Sequence, residues 1–287
     1  MTTVPNSYPK GSSSELSDDQ LKAFALQQFD QAEVRQYNFP TEIVELPSKG
    51  VLYPEGSVLA DGKIEMKYMT AKEEDILTSQ NLIKQGVVVD KLLQSMIVSP
   101  IKLSDMTIGD KNAVMVAARV LGYGKDYPIE VTCPECEEKT KVTVDLTKLP
   151  VKSVDTTTMI APNVFEFTLP QTGRKITFKV MTGNDDKRID SELESLKRAS
   201  KKDGIDRELT TRLKHLILSV DGNFDKPYIT HFVDNELFAM DSRALRTEVS
   251  RVSPNQEFSI DFECAHCGHI EEGMSFRIDS SFFWPKS

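Results

Sequence analysis

At 287 residues with 39% hydrophobic content, the chain is long enough for two domains and apolar enough to build a core in each. A net charge of −9 and a pI near 5.1 give phosphate backbones and anionic membranes no general attraction, and no apolar run reaches the roughly 18 residues of a membrane helix. All four cysteines fall in two Cys-x-x-Cys pairs, which points to a reducing compartment and metal binding rather than disulfides.

The opening segment is rich in Ser, Pro, Gly and Asn, lacks the apolar stretch of a secretory signal, and is expected to be disordered. Ser17-Asp18-Asp19-Gln20 has the form of a capping box, and Leu21, Phe24, Ala25, Phe29 and Ala32 follow at helical spacing. This arm either packs on its own chain or reaches a neighbouring subunit. From Thr41 a weakly alternating strand leads to turns at Pro47–Gly50, Pro54–Ser57 and Asp61-Gly62, then to a strand with Ile64, Met66 and Tyr68 inward. Thr70-Ala71-Lys72-Glu73 reads as a second capping box. Leu92, Leu93, Met96 and Ile97 form the apolar face of a further helix, and Asp110 is expected to cap the next one, which Gly122 and Gly124 end. Val142, Val144 and Leu146 mark a return strand. In the second half, Phe165 and Phe167 alternate, as do Ile176, Phe178 and Val180; Leu193 through Val220 supply helical faces, broken by a turn at Lys201–Gly204. The chain closes on the aromatics Phe282, Phe283 and Trp284, which either pack on their own chain or offer a contact for a partner.

One pattern is written twice. Asp110–Cys136 and Asp241–Cys267 correspond without a gap at a spacing of 131, each running from helical periodicity to strand alternation and into Cys-x-x-Cys. Ile64–Thr70 corresponds to Ile176–Thr182 at a spacing of 112, and Leu46-Pro47 to Leu169-Pro170 at 123. The first copy therefore has a longer hairpin, and further insertion is expected between Asp186 and Leu209. A unit this long is no solenoid repeat. It predicts an α+β fold of two duplicated halves, each with a β-hairpin, helices and half of a zinc ribbon: a flexible arm with one amphipathic helix over 1–40, a first repeat over 41–155 and a second over 156–287.

Each Cys-x-x-Cys offers two thiolates, whereas a structural zinc takes four in a closed tetrahedron. One ion shared by Cys133, Cys136, Cys264 and Cys267 is therefore expected, joining the halves about a pseudo-two-fold axis. Two separate ions are an alternative if His266 or His269 serves as a third ligand. A thioredoxin-like redox pair would open a helix after a strand, and these pairs sit in turns instead. Nucleic-acid-binding ribbons use similar knuckles, but Glu135, Glu137, Glu138, Glu271 and Glu272 surround these with negative charge. No catalytic constellation is recognisable: His215 and His231 stand alone, Gly122-Tyr123-Gly124 is no phosphate loop, and Glu73, Glu74, Asp75, Asp185 and Asp186 read as helix caps on solvated faces.

Leu46-Pro47-Ser48-Lys49-Gly50, Leu52-Tyr53-Pro54-Glu55-Gly56-Ser57, the Met69-Thr70 helix start, Asp241–Leu245, the Cys264/Cys267 knuckle and Phe282-Phe283-Trp284-Pro285 resemble the baseplate-hub assembly proteins of T-even-like contractile-tailed phages. The likeness covers about residues 41–285. It implies a non-enzymatic tail assembly protein or chaperone. Hub and tape-measure proteins would be its partners, and self-association stays open. It would act in the host cytoplasm and in the tail baseplate. The rival reading is a zinc-ribbon adaptor that binds nucleic acid or a polymerase.

Overall fold

The computed structural model describes residues 40–199, 206–278 and 282–284, so the predicted arm helix and the Lys201–Gly204 turn lie outside the described residues. Strands β1 (Thr41–Glu45) and β2 (Lys63–Lys67) form an antiparallel hairpin in which Val44 pairs with Ile64. Ile64 and Met66 face inward as predicted, while Tyr68 falls beyond the strand and is 38% exposed. Helix α1 (Ala71–Thr78) begins where the capping box placed it: the Glu73 carboxylate accepts from the Thr70 N–H at 3.0 Å. After the short α2 (Gln80–Lys84), α3 (Val88–Met96) buries Val88, Leu92, Leu93 and Met96 along one stripe.

Helix α4 (Ile108–Tyr123) corrects the predicted cap. Thr107, not Asp110, is its N-cap, its hydroxyl accepting from the Asp110 N–H, and Gly124 in the left-handed region ends it. Strands β3 (Asp126–Thr132) and β4 (Lys139–Asp145) make a second hairpin that pairs Ile129 with Val142. Leu46, Met66, Leu93, Val114, Tyr127 and Val144 belong to the first core.

Short strands β5 (Val151–Lys152) and β6 (Met159–Ala161) lead to β7 (Val164–Thr168) and β8 (Lys175–Phe178). Helix α5 (Gly183–Ala199) follows, then α6 (Glu208–Leu216). Strand β9 (Ile217–Val220) holds Ile217 and Val220, which helical spacing had assigned to a helix; β6, β7, β8 and β9 form one antiparallel sheet in that order. Helix α7 (Lys226–Asn235), not among the elements predicted above, has Pro227 in its first turn and buries Ile229, Phe232 and Val233. Helix α8 (Ala239–Val252), strand β10 (Asn255–Gln256) and the hairpin of β11 (Ser259–Glu263) and β12 (Ile270–Ser275) complete the order, with β10 pairing back on β5. The second core gathers Phe165, Phe178, Ile217, Phe232 and Leu245.

The segments that align in sequence also carry like bonds. Val44 opposite Ile64 matches Phe167 opposite Ile176. The Leu46 N–H to Gly62 O bond of 2.8 Å matches Leu169 N–H to Arg174 O at 2.9 Å. The Ser48 N–H reaches Asp110 Oδ1 at 2.9 Å and the Gln171 N–H reaches Asp241 Oδ1 at 2.8 Å. The last strands depart from this parallel. Phe258, Ile260, Phe276 and Ile278 pack on the first core, as do Phe282 and Phe283, each at most 3% exposed, and Trp284 donates its indole N–H to Leu77 O at 3.0 Å. The closing aromatics are thus core residues of this chain and not an open contact. Among the described residues no helix is long and apolar enough to cross a membrane.

Candidate metal centre

Each cysteine pair ends a hairpin in the same tight turn. The Cys133 N–H bonds to Glu138 O at 2.9 Å and the Glu137 N–H to Cys133 O at 3.0 Å; the Cys264 N–H bonds to His269 O at 2.8 Å and the Gly268 N–H to Cys264 O at 3.0 Å. The residue after the second cysteine is left-handed in both turns, Glu137 with φ 59° and Gly268 with φ 69°. The backbone thereby turns both sulfurs of a pair to the same side.

The four sulfurs converge. Cys133 Sγ lies 3.7 Å from Cys267 Sγ, Cys136 Sγ lies 3.7 Å from Cys264 Sγ, and all four fall within 4.8 Å of one another. A tetrahedron with metal–sulfur bonds of ~2.3 Å has edges of ~3.8 Å, so the set fits a single zinc-sized ion. Disulfides, which need ~2.05 Å between sulfurs, are not formed. The contacts are reciprocal, first cysteine to last and last to first. Val131 and Phe262 are buried beneath the sulfurs with Cys133 and Cys264, while Cys136 is half-buried and Cys267 exposed.

Without a cation the thiols work against each other. Backbone N–H groups of Cys267 and His266 draw the Cys264 thiol down to about 6. Cys136 accepts from the backbone of Glu138, which favours its thiolate, yet desolvation and the three neighbouring sulfurs hold it up at about 12. A divalent cation at the centre removes that conflict, because it stabilises all four thiolates together. Four sulfurs leave no open position for water or substrate, so such a site has a structural use. His266 and His269 do not join the sulfurs; His269 Nε2 instead meets Glu271 Oε2 at 3.4 Å. Among the described residues no other cluster of three or more His, Cys, Asp or Glu side chains is placed to hold an ion.

Other carboxylates proved more deeply placed than their sequence context suggested. Glu73 and Asp185 begin helices as predicted but are buried rather than solvated, and pair with Lys67 at 2.8 Å and Lys179 at 2.6 Å. Burial opposes their ionisation, but the lysine and the threonine at each helix start hold both carboxyls below their usual range. Asp110 and Asp241 are wholly buried on backbone N–H groups of the preceding hairpins. The signal available for them was their common place, one turn into two helices of like sequence.

Fold and site together define a mixed α+β protein with a four-cysteine cluster that could hold a metal ion. A family model described as T4 bacteriophage base plate protein matches residues 40–284, and the chain belongs to that family. Searches of curated proteins and of solved structures returned no significant match. Family membership makes it a structural component of the phage tail baseplate, working among other tail proteins.

Proposed function

We propose that the chain is a non-enzymatic assembly component of the baseplate hub, binding other hub proteins or the tape-measure protein while the tail is built in the host cytoplasm. The carrying observation is the family match across residues 40–284. In this reading one structural zinc, bound by Cys133, Cys136, Cys264 and Cys267, ties together two repeats, 41–155 and 156–287, that arose by duplication. The like bonding of Asp110 and Asp241, and of Glu73 and Asp185, supports the duplication: these pairs keep one chemical role although their surroundings have diverged. The adaptor reading is weaker. The cysteine hairpins carry ten acidic side chains, Asp126, Glu130, Glu135, Glu137, Glu138, Asp145, Asp261, Glu263, Glu271 and Glu272, against Lys139 and Lys141. Nucleic acid requires the opposite balance.

Co-expression with hub and tape-measure proteins tests the reading. The full chain should co-purify with at least one of them, and a chain lacking residues 1–38 should keep its zinc but lose the partner. Failure of the full chain to bring down either partner sinks the hub assignment. Equal recovery by the truncated chain removes the arm as the contact.

A further inference from the structure

Among the contacts between the two repeats, one has no reciprocal counterpart. Residues 104–112 of the first rest on residues 182–184 and 254–255 of the second. The Gly183 N–H bonds to Met106 O at 3.0 Å, and Thr107 bridges Thr182 as in an antiparallel sheet. Asn184 Nδ2 donates to Asp105 Oδ1 at 2.7 Å and Asn112 Nδ2 to Asn255 Oδ1 at 3.1 Å. The approach is so close that a Cβ on Gly109 would stand 1.9 Å from Pro254 O.

The spacings that align the repeats carry this contact onto a second pair of surfaces. One is residues 235–243 of the second repeat; the other is residues 70–72 with 123–124 of the first. Among the described residues no hydrogen bond or ion pair joins these two surfaces. The first is nonetheless presented in the same way: Phe238 has φ −66° and ψ 152°, and Thr107, its counterpart, φ −66° and ψ 156°. Where the first repeat buries Met106, Thr107 and Gly109, the second leaves Leu237 half-exposed, Phe238 52% exposed and Met240 67% exposed. Leu237 O and the Ala71 N–H correspond to the bonded Met106 O and Gly183 N–H, and both lack a partner among the described residues. The Asp105–Asn184 pair becomes Glu236 and Lys72, which are opposite in charge. Glu236 also meets Arg174 at 2.7 Å and His231 at 3.2 Å, so Lys72 would join an existing network.

We propose that a second copy of this chain docks here, the Leu237–Phe238–Met240 face of one copy taking the Thr70–Lys72 and Tyr123 face of the next. The inference rests on the repeat reading above. Such a contact is heterologous, so it closes into a ring or grows as a filament. Apolar Phe238 and Leu237 anchor it, and the Glu236–Lys72 charges set its orientation. Met240 replaces the glycine that permits closest approach, so copies seat less tightly than the repeats do.

Sedimentation velocity on the purified, zinc-loaded full chain across a concentration series tests this with no other tail protein present, independently of the hub assignment. Concentration-dependent species larger than one chain are expected. Phe238→Asp and Lys72→Glu should each abolish them with zinc content and unfolding midpoint unchanged, because both side chains are exposed. Mixing Lys72→Glu with Glu236→Lys chains should restore assembly, since every interface again pairs opposite charges, and Met240→Gly should strengthen it. A chain that stays single at every concentration overturns the proposal, as do larger species that survive both Phe238→Asp and Lys72→Glu. Either result would leave the repeat reading to stand or fall on the paired behaviour of Asp110 and Asp241.

Discussion

Asp110→Ala should be among the most damaging single substitutions outside the metal centre. The Asp110 carboxylate is wholly buried and accepts the Ser48 N–H at 2.9 Å and the Tyr53 hydroxyl. Burial, and then the Asp110 charge, raise the Tyr53 phenol far above its usual value, so it remains a donor at any working pH. Its oxygen meanwhile accepts the Thr107 N–H at 3.0 Å, which ties the first hairpin loop to the start of α4. Removing the carboxylate strands two buried donors at ~1–3 kcal/mol each, hence ~2–6 kcal/mol against a typical total of ~5–15 kcal/mol. Asp241→Ala should act in the same sense but more weakly, by ~1–2 kcal/mol, because its donors belong to exposed Gln171 and half-exposed Thr172, where water can replace the acceptor. Urea unfolding of the zinc-loaded protein at neutral pH measures both. A loss under ~1 kcal/mol for Asp110→Ala, or a larger loss for Asp241→Ala, would refute the reasoning. A double-mutant cycle with Tyr53→Phe should show strong coupling to Asp110 and none to Asp241.

Elemental analysis should find one zinc per chain, lost in Cys264→Ser; two per chain would break the shared site. Chelation should release hydrogen-exchange protection in the β3–β4 and β11–β12 tips while the first core stays protected. Glu137→Gly should stabilise the loaded protein by ~0.5–1 kcal/mol in chemical unfolding, since a non-glycine left-handed residue costs ~1–2 kcal/mol and glycine's extra freedom when unfolded returns part of it. Stability should fall as pH drops through the carboxylate range: Glu73 and Asp185 have depressed folded pKa values, so their contribution is present above the unfolded values and is lost as pH falls through the folded ones. Lys67→Met and Lys179→Met should flatten that dependence in an acid titration followed by circular dichroism.

What the sequence disclosed was what local chemistry and strict spacing fix. Two Cys-x-x-Cys pairs at one spacing foretold a convergence of four sulfurs, because two thiolates cannot close a coordination shell. Thr70 and Glu73 marked a helix start because the cap needs only those two residues three apart. Asp110 is an acidic residue of the kind that caps helices, but Thr107-x-x-Asp110 has the same form as Thr70-x-x-Glu73 and the cap falls on the threonine. Ile217 and Val220 continued a leucine stripe and so read as helix, but β8 offers an open edge that they fill as a strand. Phe282 and Trp284 left packing on their own chain and contact with a partner equally open, because nothing local says which core an aromatic reaches. Their burial depends on Tyr127 and Leu77, more than 150 residues earlier. The contact of residues 104–112 with residues 182–184 and 254–255 was hidden for the same reason.

The β11–β12 hairpin packs on the first core and not on the second, which its neighbour α8 joins, and something must hold it there. Beneath the sulfurs the fully buried apolar side chains are Val131 and Phe262, worth ~3–6 kcal/mol together by area. A two-stranded hairpin is marginal by itself. Against this stands the ordering of the two knuckles, Cys133–Glu138 and Cys264–His269, twelve residues at ~1–2 kcal/mol each. The apolar layer cannot meet that demand. A structural zinc, at ~10–16 kcal/mol, can. An ion held by the four cysteines would decide whether the hairpin tips are ordered, while the aromatic base of the β11–β12 hairpin, Phe258 and Phe276 against Tyr127, is anchored in the first core. Each hairpin carries one cysteine pair, and the packing of the β11–β12 hairpin on the first core brings the two pairs together.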